Sequence, residues 1–569
     1  MSKRLKNYPD PMEVINSHGA DALRLYLINS PVVRAESLKF KEEGVQSTVR
    51  EVLLPWFNAF RFFVQQARRL EMTCGEKFAP NPEAAAKSTN VMDSWIQATL
   101  QGLVQFVRTE MKAYRLYTVV PRLVEFIEQL TNCYVRLNRN RLKGAEGMDS
   151  ARAGLYCMYE VLSTMAILMA PITPFFSEYT YQHLRECHPN KDSQNVAEDA
   201  MGRAKSVHML MMPDVDESRL DPQAESDMRA MQTVMDLGRS AREKRGISLK
   251  TPVKGITVVC KDQAVLMALK KLQGYVKGEL NAWEVVLEAD EKSWCTLKAE
   301  ANNKVLGKRL GKALAGVKKA LPKLDTAALW PLLEGYTVEV DGQTLSADDL
   351  MLKRGFKGDS GVYEAAVSED GKVMVVLDTR KDEKVMSQKL AREIVSRIQK
   401  LRKKSGLQVG ETVEVFFKDD TKGAMAGKAV AANSALVADA VRCMPLPASM
   451  MPEHAVPLGH ERFSACGEEK DSNGDATEES DFSVWLTRPC LSFDKEAFDG
   501  KCAASKVDPG VARQLLASLD YDLLRKEGRS STTMTVGDVS VTVDLGADFF
   551  LDAREALRKR CPDDMKWAL

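Results

Sequence analysis

The eleven cysteines are scattered along the chain without one Cys-x-x-Cys pair. That argues against a zinc knuckle and against a disulfide framework, and it points to a reducing, cytosolic compartment. No apolar run approaches the roughly 20 residues needed to span a bilayer. No signal peptide is visible either. Net charge is nearly absent, with 80 basic side chains against 79 acidic ones, so any contact with nucleic acid has to come from local patches. No glycine-rich turn of the phosphate-cradling kind opens a helix after a strand-like run, which removes a dinucleotide unit from consideration. At 569 residues the chain is too long for one hydrophobic core. It should divide into roughly three or four domains.

What is present begins at the first eleven residues, MSKRLKNYPDP. Lys3, Arg4 and Lys6 can grip one polyphosphate together, or simply be a solvated basic run. Behind them Asp10 is placed to cap a helix starting at Pro11, with Glu13 closing a capping box. The spacing predicts a helix over 12–28, with Gly19 as a break and Pro31 as its stop. A second is predicted over 49–71, where Trp56, Phe57, Phe60 and Val64 form an apolar stripe that reads as core. A new helical block opens at Asp93, taken as its cap, and a further helix starts near Thr118. The far end of that helix carries Arg136, Arg139, Arg141 and Lys143 without an acid among them, interleaved with Asn138 and Asn140. Cations at a helix C-terminus are favoured by the macrodipole alone; equally, this mixture suits phosphates and base edges.

A helix over 225–243 has a methionine stripe, which is ordinary core, and ends in Arg239, Arg242, Lys244 and Arg245 before Gly246. Beyond Gly246 strand-like runs at 247–259 and 283–287 mix with helices. Residues 301–324 hold Lys304, Lys308, Arg309, Lys312, Lys318, Lys319 and Lys323 and no acid, a candidate RNA-facing surface. A basic amphipathic helix is expected over 390–407, an acidic linker over 467–481, and a small α+β module at the end.

Several of these stretches resemble one family. Met1, Ser2, Lys3 and Arg4, followed by Asn7 to Pro11, are similar to the end of the Lys-Met-Ser-Lys-Ser signature loop of class I aminoacyl-tRNA synthetases, in the variant of isoleucyl enzymes of the eukaryotic cytosolic and archaeal type. Arg24 lies in a run, Gly19 to Pro31, that resembles the family's stem-contact region and could touch tRNA phosphate. Leu130 to Gly144 is similar to a motif of the helical anticodon-binding domain, with Cys133 where the family usually has Trp. Met92 to Ile96, Ala170 to Leu184 with Thr173 and Pro174 as cap and start, and Lys304 to Leu314 match as well. His183, within Ala170 to Leu184, has no partner at metal-ligand spacing. The His-x-Gly-His pair of the family is missing, as is its first signature lysine, so Met1 is read as an internal methionine of a longer polypeptide.

The resemblance implies a multidomain fold: an all-α helical bundle for stem contact and anticodon binding, followed by α+β C-terminal domains. The implied division is 1–11 for the end of the signature loop, 12–91 for stem contact, 92–246 for the anticodon-binding domain, 247–425 for an α+β appendage, and 426–569 for a second α+β module. It further implies the C-terminal portion of an isoleucine-tRNA ligase whose Lys3 is catalytic and whose Ser2, Lys3 and Arg4 bind ATP. Magnesium would accompany ATP, held mainly by the missing catalytic domain, and no protein-ligated zinc is expected. The tRNA contacts would be Arg136, Asn138, Arg139, Arg141, Lys143, Arg242, Lys304, Lys308, Arg309 and Lys312. Implied partners are isoleucine tRNA, the N-terminal catalytic half and a multi-synthetase assembly, with no membrane. Two other readings stand beside this one. The first is a free-standing non-catalytic tRNA-binding or scaffold protein, and the second is the matching part of a valyl enzyme.

Overall fold

The computed structural model describes residues 10–86, 88–194, 197, 200–380, 382–408, 411–419, 425–465, 480–518 and 530–560. Asp10 caps α1 (Pro11–His18) through the Met12 N–H at 2.9 Å, one side-chain bond in place of the reciprocal box expected with Glu13. Gly19, at φ +87, ends that helix and starts α2 (Ala20–Ile28). A side chain at this backbone angle would be strained, so the break falls where the glycine is. After a short helix Glu42–Thr48, the chain widens to a π turn over Val49–Leu53 before α3 (Leu54–Cys74). Pro55 has no N–H for the carbonyl four residues back, which accounts for the widening.

The next helices are α4 (Val91–Lys112), α5 (Leu116–Glu128), α6 (Arg139–Leu142), α7 (Met148–Met169), α8 (Pro174–Arg185) and α9 (Pro222–Lys244). A second π turn, Gln129–Val135, leads from α5 toward α6. The cap of α4 is Asn90, whose side chain accepts from Met92 and Asp93 N–H, and not Asp93 as its position in the sequence suggests. Asp93 is instead fully buried.

Thr173 precedes α8 but gives it no side-chain cap. The cap comes from Asp21 on α2, whose carboxylate accepts from Phe175 at 3.4 Å and Phe176 at 2.7 Å. Burial pushes the Asp21 carboxyl up, partly offset by those two N–H groups and Arg24. Arg24 donates to the carbonyls of Ile172 and Pro171, at 3.0 and 2.9 Å, so it ties α2 to the start of α8 while remaining exposed. Asp21→Ala is therefore expected to lower stability by about 1 kcal/mol, the scale of a lost cap. Urea unfolding of variant and wild type measures it.

The helices share one core with the first α+β region. Trp56, Phe63, Leu100, Leu123, Met165 and Met231 pack in the same continuous apolar cluster as Val258, Leu272 and Leu377. The last three belong to the region of β1 (Val253–Val259), α10 (Gln263–Glu279), β2 (Ala282–Glu288), β3 (Cys295–Ala301), α11 (Asn303–Leu310), β4 (Leu350–Phe356), β5 (Tyr363–Val367) and β6 (Met374–Asp378). Its sheet runs β2-β1-β6-β5, parallel between β1 and β2 and antiparallel elsewhere. β3 and β4 pair separately over a smaller core that includes Leu306 and Leu321.

The C-terminal part has two further cores. α12 (Glu383–Lys404) buries Ile394, Ile398 and Leu401 against a sheet of β7 (Glu414–Asp419), β8 (Pro457–Ala465) and β9 (Ser480–Thr487). The hairpin β10 (Ser531–Val536) and β11 (Val539–Asp544) closes the second core, and α13 (Ala553–Arg560) returns to the first. The chain is thus multidomain, helical first and α+β after it. The expected acidic linker falls largely on 466–479, outside the described residues. Among the described residues no helix is long and apolar enough to cross a membrane, and no group of three or more His, Cys, Asp or Glu could hold a metal ion.

Candidate nucleic-acid interface

The segment from the second π turn through α6 has two faces set by helical phase. Leu130, Tyr134, Asn138 and Arg141, four, four and three residues apart, all point inward and are buried. Arg136, Arg139, Asn140 and Lys143 lie on the opposite, exposed side.

The inward face is a polar lock. Arg141 donates to both oxygens of Asp93, at 2.9 and 2.8 Å, and through Nε to Ser150 at 2.9 Å. Tyr134 donates to the same carboxylate at 2.7 Å and Ser88 at 2.6 Å. Burial alone would lower the Arg141 pKa, but the bonds and charge of Asp93 raise it overall. Burial likewise pushes the Tyr134 phenol far up, so it stays a donor at any physiological pH. Asn138 closes onto the Tyr134 carbonyl at 3.0 Å and accepts from Tyr275 of α10. Two of the expected RNA contacts, Asn138 and Arg141, therefore hold the domain together from within.

Arg242 shows the same inversion at the end of α9. It is 1% exposed, and its guanidinium donates to the carbonyls of Ser248, Thr251, Leu280 and Asn281. Burial lowers its pKa to about 10. It organises the turn that leads into β1 and has no path to a phosphate.

On the outward face Arg136 pairs with Glu279 of α10, which Arg239 also binds at 2.7 Å, so much of that charge is already neutralised. Arg139 lies over the Phe62 ring at 5.6 Å. Lys143 has its pKa lowered, first by partial burial and then by the neighbouring charges of Arg139, Arg69 and Arg442. Of those three arginines, Arg69 comes from α3 and Arg442 from the C-terminal part, which the sequence order does not reveal. Of the second basic stretch, Arg309 pairs with Asp349 at 2.9 Å and reaches the Thr344 carbonyl at 3.2 Å. The side chains of Lys304, Lys308 and Lys312, and all of Ser2, Lys3 and Arg4, lie outside the described residues. Half-buried Cys133 accepts from Gln232 at 3.3 Å. His183 packs on Tyr179 and Phe60, with ring centroids 4.4 and 5.8 Å away.

Residues 93–258 match the anticodon-binding domain of tRNA ligase, and residues 1–39 match the tRNA synthetases class I (I, L, M and V). The chain is 45% identical over 417 residues to a probable cytoplasmic isoleucine–tRNA ligase of Dictyostelium discoideum, covering 73% of this chain and 38% of that protein. It is 40% identical over 547 residues to the cytoplasmic isoleucine–tRNA ligase of Arabidopsis thaliana, covering 95% and 44%. With the enzyme of the same name from Saccharomyces cerevisiae it shares 44% over 419 residues, covering 74% and 38%. In each case it spans about two-fifths of the relative's length. Residues 93–258 thus match an anticodon-binding domain of tRNA ligases, and the chain is similar to cytoplasmic isoleucine–tRNA ligases over most of its own length and about two-fifths of theirs.

Proposed function

We propose that this chain is the tRNA-holding portion of a cytoplasmic isoleucine–tRNA ligase. A catalytic half of the same polypeptide would activate isoleucine with ATP and magnesium, and this portion would grip the anticodon and stem of isoleucine tRNA. The observation that carries the reading is the two-faced segment inside the matched anticodon-binding domain, locked inward by Asp93 and Arg141 while Arg139 and Lys143 stay at the surface. Rigid support of that kind lets cations meet a phosphate backbone without losing much side-chain freedom. Within the proposal, residues 12–91 contact the stem, 92–246 hold the anticodon, and the two C-terminal α+β parts are appendages. Lys3, with Ser2 and Arg4, would stabilise charge developing on the ATP phosphates once docked against the catalytic half.

The purified chain is expected to bind isoleucine tRNA more tightly than valine tRNA, with log affinity falling linearly in log salt. Replacing Arg136, Arg139 and Lys143 together by alanine should flatten that slope by about 2 to 3, at roughly 0.7 to 0.9 per lost phosphate contact. Filter binding across a salt series reads both. No isoleucine-dependent ATP–pyrophosphate exchange is expected from the chain alone. Equal binding of the two tRNAs would favour the valyl or scaffold alternatives, and measurable exchange would overturn the division of labour.

A further inference from the structure

Between the two C-terminal cores lies an open cleft of about 360 Å³. At about 30 Å³ per molecule it holds roughly a dozen waters, a size within the range of ligand pockets. Met450 and Met451, which pack on the first of those cores, and Phe493, which packs on the second, line it together with Phe550. The Phe493 ring is held by three neighbours, Phe498 at 4.9 Å, His454 at 5.6 Å and the Arg513 guanidinium at 5.6 Å. That wall is in place before anything binds.

The polar lining carries both signs of charge. Lys495 donates to Glu453 at 2.6 Å, and the two side chains are 64% and 77% exposed. An exposed pair contributes little to stability, so its members can change partners at small cost. Arg513 lines the same cleft and is matched by Asp499, to which it donates. Two cations and two carboxylates leave no surplus of positive charge for a polyphosphate. A simple anion would satisfy Lys495 and strand Glu453, and a simple amine would do the reverse. A zwitterion satisfies both.

We propose that the cleft binds a free apolar α-amino acid, its ammonium donating to Glu453, its carboxylate accepting from Lys495 and Arg513, and its side chain lying among Met450, Met451 and Phe493. Methionine walls adapt to branched and aromatic shapes alike, so the site selects size and apolar character more than one side chain. The cleft lies outside residues 93–258, and the inference does not rest on the tRNA reading.

Equilibrium dialysis of the full chain against leucine, phenylalanine and alanine tests it. Leucine and phenylalanine are expected to bind, and alanine to bind about tenfold or more weakly, since each buried methylene is worth about fourfold. Blocking one end, as in leucine amide or N-acetylleucine, should cost about tenfold or more, the scale of one lost charged hydrogen bond. Glu453→Gln should weaken leucine and leave N-acetylleucine no weaker, whereas Lys495→Gln should weaken leucine and leave leucine amide no weaker. Both positions are exposed, so neither variant is expected to lower the thermal midpoint. Failure of leucine and phenylalanine to bind at millimolar concentration overturns the site. So does leucine binding unmoved by either variant, or equal binding of N-acetylleucine amide, which mimics a residue inside a peptide and would make the cleft a peptide groove.

Discussion

Asp93→Ala is expected to remove about 3–5 kcal/mol of stability, because it strands a buried cation. Arg141 is 3% exposed and gives two of its bonds to Asp93, and the buried hydroxyl of Tyr134 also donates to it. With the carboxylate gone, the guanidinium and the hydroxyls of Tyr134 and Ser88 lose the acceptor they share. Against a typical domain stability of about 5–15 kcal/mol, the helical part would be close to unfolding at room temperature. The companion experiment separates the pair's own worth from the harm of breaking it. Asp93→Leu combined with Arg141→Met fills the space with apolar atoms and should recover most of the loss. Urea unfolding followed by tryptophan fluorescence reads both, since Trp56 and Trp95 lie in that core. A single variant as stable as wild type would show that the lock carries no load.

Glu414→Gln is expected to do the opposite: to stabilise the C-terminal part at pH 8 by about 3 kcal/mol, while leaving it nearly unchanged at pH 4. Glu414 is 8% exposed and accepts from the Ala553 N–H at the start of α13 at 2.9 Å, but its second oxygen has no partner. Burial, reinforced by the charge of Asp552, raises its pKa from 4.5 to about 7. Between those two values the folded chain keeps a proton that the unfolded chain has lost, so stability falls as pH rises from about 4.5 to about 7 and is flat above it. That interval corresponds to about 3 kcal/mol. Glutamine keeps the acceptor for Ala553 and brings a donor. Thr487, opposite Glu414 in the β7–β9 register, has a buried hydroxyl with no partner that can accept from it. Thermal unfolding at a series of pH values should show the wild-type slope and its loss in the variant. A wild-type profile flat from pH 5 to 7 would contradict the raised pKa.

The difference between what the sequence showed and what the structure adds is one of range. Pro11, Gly19 and the spacing of Trp56 and Phe60 act over one or two helical turns, so helix starts, breaks and buried stripes could be read locally. Asp93 looked like a cap because capping is also local. Its real partner, Arg141, is 48 positions away, and Arg24 finds its carbonyls almost 150 positions away. Polar residues paired at such distances look, in sequence, like surface charge. One signal did exist for the anticodon segment: Leu130 and Tyr134 set the phase of the helix, and extending that phase places Asn138 and Arg141 inside. Without that phase, a run of arginines looks like a single basic face. Arg69 carried no signal at all, since it sits on a helix otherwise read as core and gains meaning only from what packs beside it.

The continuous core from the first helices into the β2-β1-β6-β5 sheet bears on how the molecule can be dissected. The matched anticodon-binding region ends at residue 258, one residue short of the end of β1. A polypeptide trimmed there would keep β1 and discard both strands that pair with it, β2 and β6. Two bare backbone edges and the apolar face beneath them would be left open to self-association. A soluble fragment for binding work should therefore be cut after residue 380, past β6, where the shared core has closed.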